Sequence, residues 1–218
     1  MQSNILETTL CTHDEPLIFP LWDSKKKKPV PLIVGIVCKD QIVVASDSRT
    51  SFASHMQEDT QKIRILELKY GKALVAHSGY TDLSEEAVDI LEERAKTLEL
   101  NHFRDLPELA HKVISDIFAR QLAPYAGSTL AIESVQASFR DNQGFVIMLA
   151  FYHQDKPYIY TLDYPMGGIQ KTTTHFSAIG HGATLGAYLL QAYTDPNMNS
   201  ELGIAVAVYA VETVGKHD

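Results

Sequence analysis

The chain has 218 residues with a formal charge of −8, a length that fits a single core and an acidity that argues against nucleic-acid binding, which needs a basic face. Two cysteines, Cys11 and Cys38, are too few for a disulfide framework, and no Cys/His set has zinc spacing, so no metal or other cofactor is expected. The start MQSNILETTL lacks a signal-peptide pattern, and no apolar run nears the roughly 20 residues that cross a bilayer, so a reduced cytoplasmic location without membrane contact is the expectation.

Residues 1–29 read as an N-terminal extension, partly disordered or docking, with Pro16, Pro20 and four lysines at 25–28. Within it PLIFPLW (16–22) is too apolar to float free. The domain proper is expected over 30–218. It opens on Leu32–Cys38 and Ile42–Ala45 around a Lys39-Asp40-Gln41 turn. Val34, Ile36 and Cys38 fall on one face and Ile33, Gly35 and Val37 on the other, so this strand is buried on both sides. The second strand ends in Asp47-Ser48-Arg49, an acid and a base at the end of a buried hairpin. Residues 50–61 read as a polar loop. KIRILEL (62–68) and KALVAHSG (72–79) form a second hairpin about Tyr70-Gly71.

Asp82 and Glu85, then Asp105 and Glu108, have capping-box spacing and predict two helices, each with the aspartate as N-cap. GFVIMLAFY (144–152), KPYIYTLDY (156–164) and QKTTTHFSAI (170–179) predict three strands. Helices at 181–193 and 200–214 follow, the last apolar nearly all round and so expected to be buried between layers. Four strands, two helices, three strands and two helices imply an α+β protein with two antiparallel sheets and helices on their outer faces.

In this order IVGIVCKDQIVVASDSR resembles the opening hairpin of proteasome subunits. Lys62, SAIGHGA (177–183), NMNSELGIAVA (197–207) and the final KHD match in register. The resemblance covers about residues 31–218. It implies the N-terminal nucleophile hydrolase fold, a four-layer αββα sandwich whose subunits stack into rings with themselves or with related subunits. Catalytic members are threonine-type endopeptidases: a propeptide is removed, the exposed threonine attacks the peptide carbonyl, and its own amine manages the proton. An amine titrating near pH 8 suits that task, and a neighbouring lysine lowers its proton affinity.

The resemblance assigns Asp47 and Lys62 to a buried ion pair beside the nucleophile, Arg49 to a neighbouring basic position and Asp218 to support of the amine. Thr50 and Leu74 match positions lining a peptide-binding pocket, and Ala76 one whose N–H faces the oxyanion. His181 stands where active members have a serine. The nucleophile position itself is Pro31, with no Thr, Ser or Cys between Lys25 and Ile36. A proline has no attacking side chain. The expectation is therefore a proteolytically inactive ring or assembly component. An active peptidase after unusual processing and a free-standing binding protein using the degenerate cleft are the alternatives. Residues 1–30 lack the helix motif of α-type subunits, and the family continues past the last helix into two more strands. The sequence ends at Asp218, so the sandwich is expected to lack its last strands, or the natural chain to continue.

Overall fold

The computed structural model describes residues 31–47, 61–127, 133–134, 137, 144–164 and 168–216, together with the strand backbones of 6–11, 17–21, 50–52 and 55–57. Among these, two five-stranded antiparallel sheets pack face to face, each covered on its outside by two helices.

The first sheet contains β1 (Leu6–Cys11), β2 (Leu17–Leu21), β3 (Ile33–Val37) and β4 (Ile42–Asp47). Its fifth strand, β12 (Phe176–Ile179), sits at the edge, giving the order β12-β3-β4-β1-β2. The alternation of β3 is realised as read. Leu32, Val34, Ile36 and Cys38 face the helices, while Ile33 faces the other sheet together with Ile42 and Val44. Gly35 admits the opposite sheet closely: a Cβ there would lie 2.9 Å from Met148 Sδ. The N-terminal strands join this sheet. β1 lies antiparallel to β4, Leu6 opposite Asp47 and Cys11 opposite Ile42, and β2 lies outside β1.

After β4 the backbone forms a small hairpin, β5 (Thr50–Phe52) with β6 (His55–Gln57), where a loop is expected from the polar sequence. The second sheet has the order β11-β10-β9-β8-β7 and is built from β7 (Ile63–Leu68), β8 (Gly71–Gly79), β9 (Phe145–His153), β10 (Lys156–Tyr164) and β11 (Ile169–Lys171). The expected single strand over 170–179 is therefore two strands in different sheets. Residues 172–175 carry the chain across, because the threonine run has no apolar side to bury.

Helices α1 (Thr81–Ala95) and α2 (Asp105–Leu122) cover the second sheet, and α3 (Ala183–Tyr193) and α4 (Ser200–Lys216) cover the first. The expected aspartate caps are corrected. Tyr80 and Arg104 hold the N-cap positions with no side-chain cap bond, and Asp105 Oδ2 instead accepts the His102 N–H at 2.7 Å. A capping cluster for α4 comes from the β3–β4 turn, where Asp40 accepts the Ser200 N–H and hydroxyl, both at 2.8 Å. α4 is not buried between layers. Gly203, Val206, Ala207, Ala210 and Val211 pack on the sheet, but Leu202 and Tyr209 stay 53% and 47% exposed. No described helix is long and apolar enough to cross a membrane.

Candidate functional site

β4 ends where the other sheet begins, and the two meet through one ion pair. Asp47 Oδ2 accepts from Lys62 Nζ at 2.8 Å, with side-chain exposures of 13% and 6%. Asp47 Oδ1 accepts the Leu32 N–H at 3.0 Å, and the Asp47 N–H returns a bond to the Leu32 carbonyl at 3.3 Å. One carboxylate thus ties the start of β3, the end of β4 and the approach to β7.

Pro31 lies at this junction. Its carbonyl accepts the Gly182 N–H at 3.2 Å, so the turn before α3 closes over the chain just ahead of β3. Gly180 makes that closure possible. Its φ is +101°, and a Cβ there would sit 2.4 Å from the Pro31 carbonyl oxygen and 3.0 Å from Ser78 Oγ. His181 is exposed between these two glycines, two residues before the first residue of α3. The structure therefore brings together Pro31, Asp47 and Lys62, with Gly180, Gly182 and Ser78 around them.

Ala76 lies opposite Ile63, the residue after Lys62, and Leu74 lies opposite Ile65. Both are buried in the core between the sheets, in register with Met148 and Ala150 of β9. For Thr50 only the backbone is described, and Arg49 and Asp218 lie outside the described residues. Ser78 is a group the sequence reading missed. It is 5% exposed, its hydroxyl has no hydrogen-bond partner among the described residues, and it precedes Gly79, the last residue of β8, which has φ +117°. The Ser-Gly pair between a strand and a helix start was the available signal.

Behind Lys62 stands His77, whose N–H donates to the Lys62 carbonyl at 3.1 Å. Its ring Nδ1 is 2.8 Å from Ser84 Oγ, and that hydroxyl donates to the Thr81 carbonyl, so Nδ1 carries the proton and Nε2 is left as a buried acceptor without a partner among the described residues. Burial, then the charges of Lys62 and Arg64, push the His77 ring down to about 4. His77 is thus a neutral prop beneath the ion pair. Among the described residues no group of three or more His, Cys, Asp or Glu is placed to hold a metal. Chemically, the junction has an ion pair and backbone donors but no hydroxyl, thiol or free amine at position 31.

Three comparisons bear on this arrangement. The family model described as Proteasome subunit matches residues 32–218. Curated proteasome subunit beta chains from Methanocaldococcus sp. (strain FS406-22) and Methanocaldococcus jannaschii are each 23% identical over 187 residues, spanning 85% of this chain and 74% of theirs. Among solved structures, the helical assembly of the Anbu complex from Pseudomonas aeruginosa superposes with a TM-score of 0.69 at 19% identity, covering 86% of this chain and 76% of that one. Anbu (ancestral beta-subunit) from Yersinia bercovieri gives 0.68 at 15% identity, with the same coverage. At these identities the structural likeness speaks for the fold.

Proposed function

The chain belongs to the proteasome subunit family, and we propose that it serves there as a non-proteolytic subunit that assembles with copies of itself. The observation that carries the reading is Pro31 at the head of β3. Threonine-type chemistry needs a hydroxyl and an α-amine on one residue. Proline within the chain supplies neither, and if the chain were cut before it, a secondary amine would appear without a nucleophile.

The N-terminal strands support the same reading. β1 pairs with β4 along its whole length, and β2 pairs with β1, so both are layers of the first sheet. A cut before Pro31 would sever this hairpin from the sheet it completes and would leave the hydrogen-bonding edge of β4 held only by a detached peptide. In this reading Asp47 and Lys62 are kept as a clamp between strand ends.

Self-association is supported by the outer face of α3 and α4. Tyr188 is 68% exposed, Tyr193 meets Tyr209 edge to face at 5.5 Å, and Leu185 and Leu202 lie exposed on the same two helices. Exposed tyrosines and leucines concentrated on one pair of helices suit a contact between protein surfaces. A relative of this fold is described as a helical assembly, and the occupant assigned to this face here is a second copy of the chain.

Native mass spectrometry and a covalent probe for N-terminal threonine hydrolases test the proposal together. The expected result is an oligomer of uncut chains that the probe leaves unlabelled. Labelling, or a mature N-terminus within residues 25–36, overturns the inactive assignment, and a strict monomer overturns the assembly.

A further inference from the structure

We propose that a cavity on the outer face of the second sheet, between β10, β11 and the start of α2, binds a small organic anion with an oxyanion head and a compact apolar body. Lys62 leads into β7, at the opposite edge of the same sheet from β11, so this cavity is separate from the Asp47–Lys62 junction.

The cavity measures about 480 Å³, and its wall carries Arg104, Lys171 and His102 beside Phe103, Tyr160 and Ile169. Neither Arg104 nor Lys171 has an ion-pair partner among the described residues, which stands out in a chain of formal charge −8. Lys171 Nζ is held 4.6 Å from the ring centre of Tyr158 and 5.2 Å from that of Phe103, two rings stacked 2° from parallel. The stack fixes the ammonium without neutralising it. Glu108 adds one exposed carboxylate to the wall and leaves the lining net positive.

Tyr160 is the second, independent sign. It is 2% exposed, and among the described residues its hydroxyl has no hydrogen-bond partner. A buried phenol without a partner is uncommon because desolvating it costs free energy. Arg104 lines the same cavity as this phenol. Arg104 and Lys171 can only donate hydrogen bonds, and the Tyr160 hydroxyl has one proton to give. Three donors around one cavity, against the single lining carboxylate of Glu108, match an oxyanion. Phe103 and Ile169 supply the apolar wall for the rest of the ligand.

Calorimetric titration of the full chain with phenyl phosphate, benzoate, inorganic phosphate and benzyl alcohol tests this. The expected result is saturable binding of phenyl phosphate or benzoate, tighter than inorganic phosphate, weakened by added salt, and absent for benzyl alcohol. The tighter of the first two identifies the head as phosphate or carboxylate. Arg104→Gln and Lys171→Gln should each weaken binding about tenfold or more, and Tyr160→Phe about threefold to tenfold. Both cationic side chains are exposed, so the unliganded melting temperatures of those two variants should stay at the wild-type value. Absence of saturable binding by either aromatic anion, benzyl alcohol binding as tightly, or an affinity unchanged in Arg104→Gln overturns the proposal.

Discussion

Replacing Asp47 by alanine tests the junction at its centre. The carboxylate accepts from Lys62 Nζ at 2.8 Å and from the Leu32 N–H at 3.0 Å, and the ammonium it faces is only 6% exposed. Removing it strands a buried charge, which costs about 3–5 kcal/mol in comparable pairs. The orphaned Leu32 N–H keeps the expected value toward the upper end of that range, since a bond to a charged acceptor contributes about 1.5–3 kcal/mol. Against a typical domain stability of about 5–15 kcal/mol this is severe. Lys62→Met should cost less, about 1–3 kcal/mol, because Asp47 keeps the Leu32 N–H and is the more exposed partner. In the double variant the stranded ammonium is gone, so its loss should fall below the sum of the two singles by about 0.5–3 kcal/mol. Urea unfolding of the four proteins at constant slope measures all three quantities. A loss under about 1 kcal/mol for Asp47→Ala, with additive effects, would mean that the pair behaves like a surface contact and clamps nothing.

The depressed His77 ring predicts acid sensitivity. An unfolded histidine takes its proton near 6.5 and the folded one near 4, so stability is whole above pH 6.5 and falls until about pH 4. The drop attributable to His77 is about 3 kcal/mol, and a His77→Asn variant whose stability falls as steeply over that window would refute it. Gly203→Ala puts a Cβ 2.4 Å from Cys38 Sγ and should destabilise by about 1–2 kcal/mol by overpacking. With Cys38→Ala in the background the same change should stabilise through helix propensity, and an unchanged sign would disprove the contact. Asp40→Ala should lower stability by about 1–2 kcal/mol in chemical denaturation through loss of the α4 cap, and a change within a few tenths would show that the cap contributes nothing. Burial, with Asp40 beside it, pushes the Cys38 thiol up to about 11, so native alkylation at pH 8 should be far slower than in urea. Equal rates would place that sulfur at the surface.

Local pattern carried the strands and helices. The twofold alternation of Leu32–Cys38 assigned Val34 and Ile36 to one layer and Ile33 to the other before any neighbour was known, because side-chain direction in a strand follows from the backbone alone. The proteasome-like register rested on the same stretch, and it brought Asp47, Lys62 and Pro31 to one point. What neighbours decide was invisible. The polar run at 172–175 contains nothing to say that the chain leaves one sheet for the other there, since a strand's partner is chosen by distant residues. The α4 sequence is apolar on most sides, yet only the placement of the first sheet determines that Val206 and Val211 are covered while Leu202 and Tyr209 face outward. Asp40 caps a helix that starts 160 residues later, and an N-terminal segment that read as an arm lies beside β4 as a strand. These contacts join residues far apart in the chain, where no local periodicity records them; they exist only because hydrogen-bonding edges and helix ends must find partners once the two sheets have closed on each other.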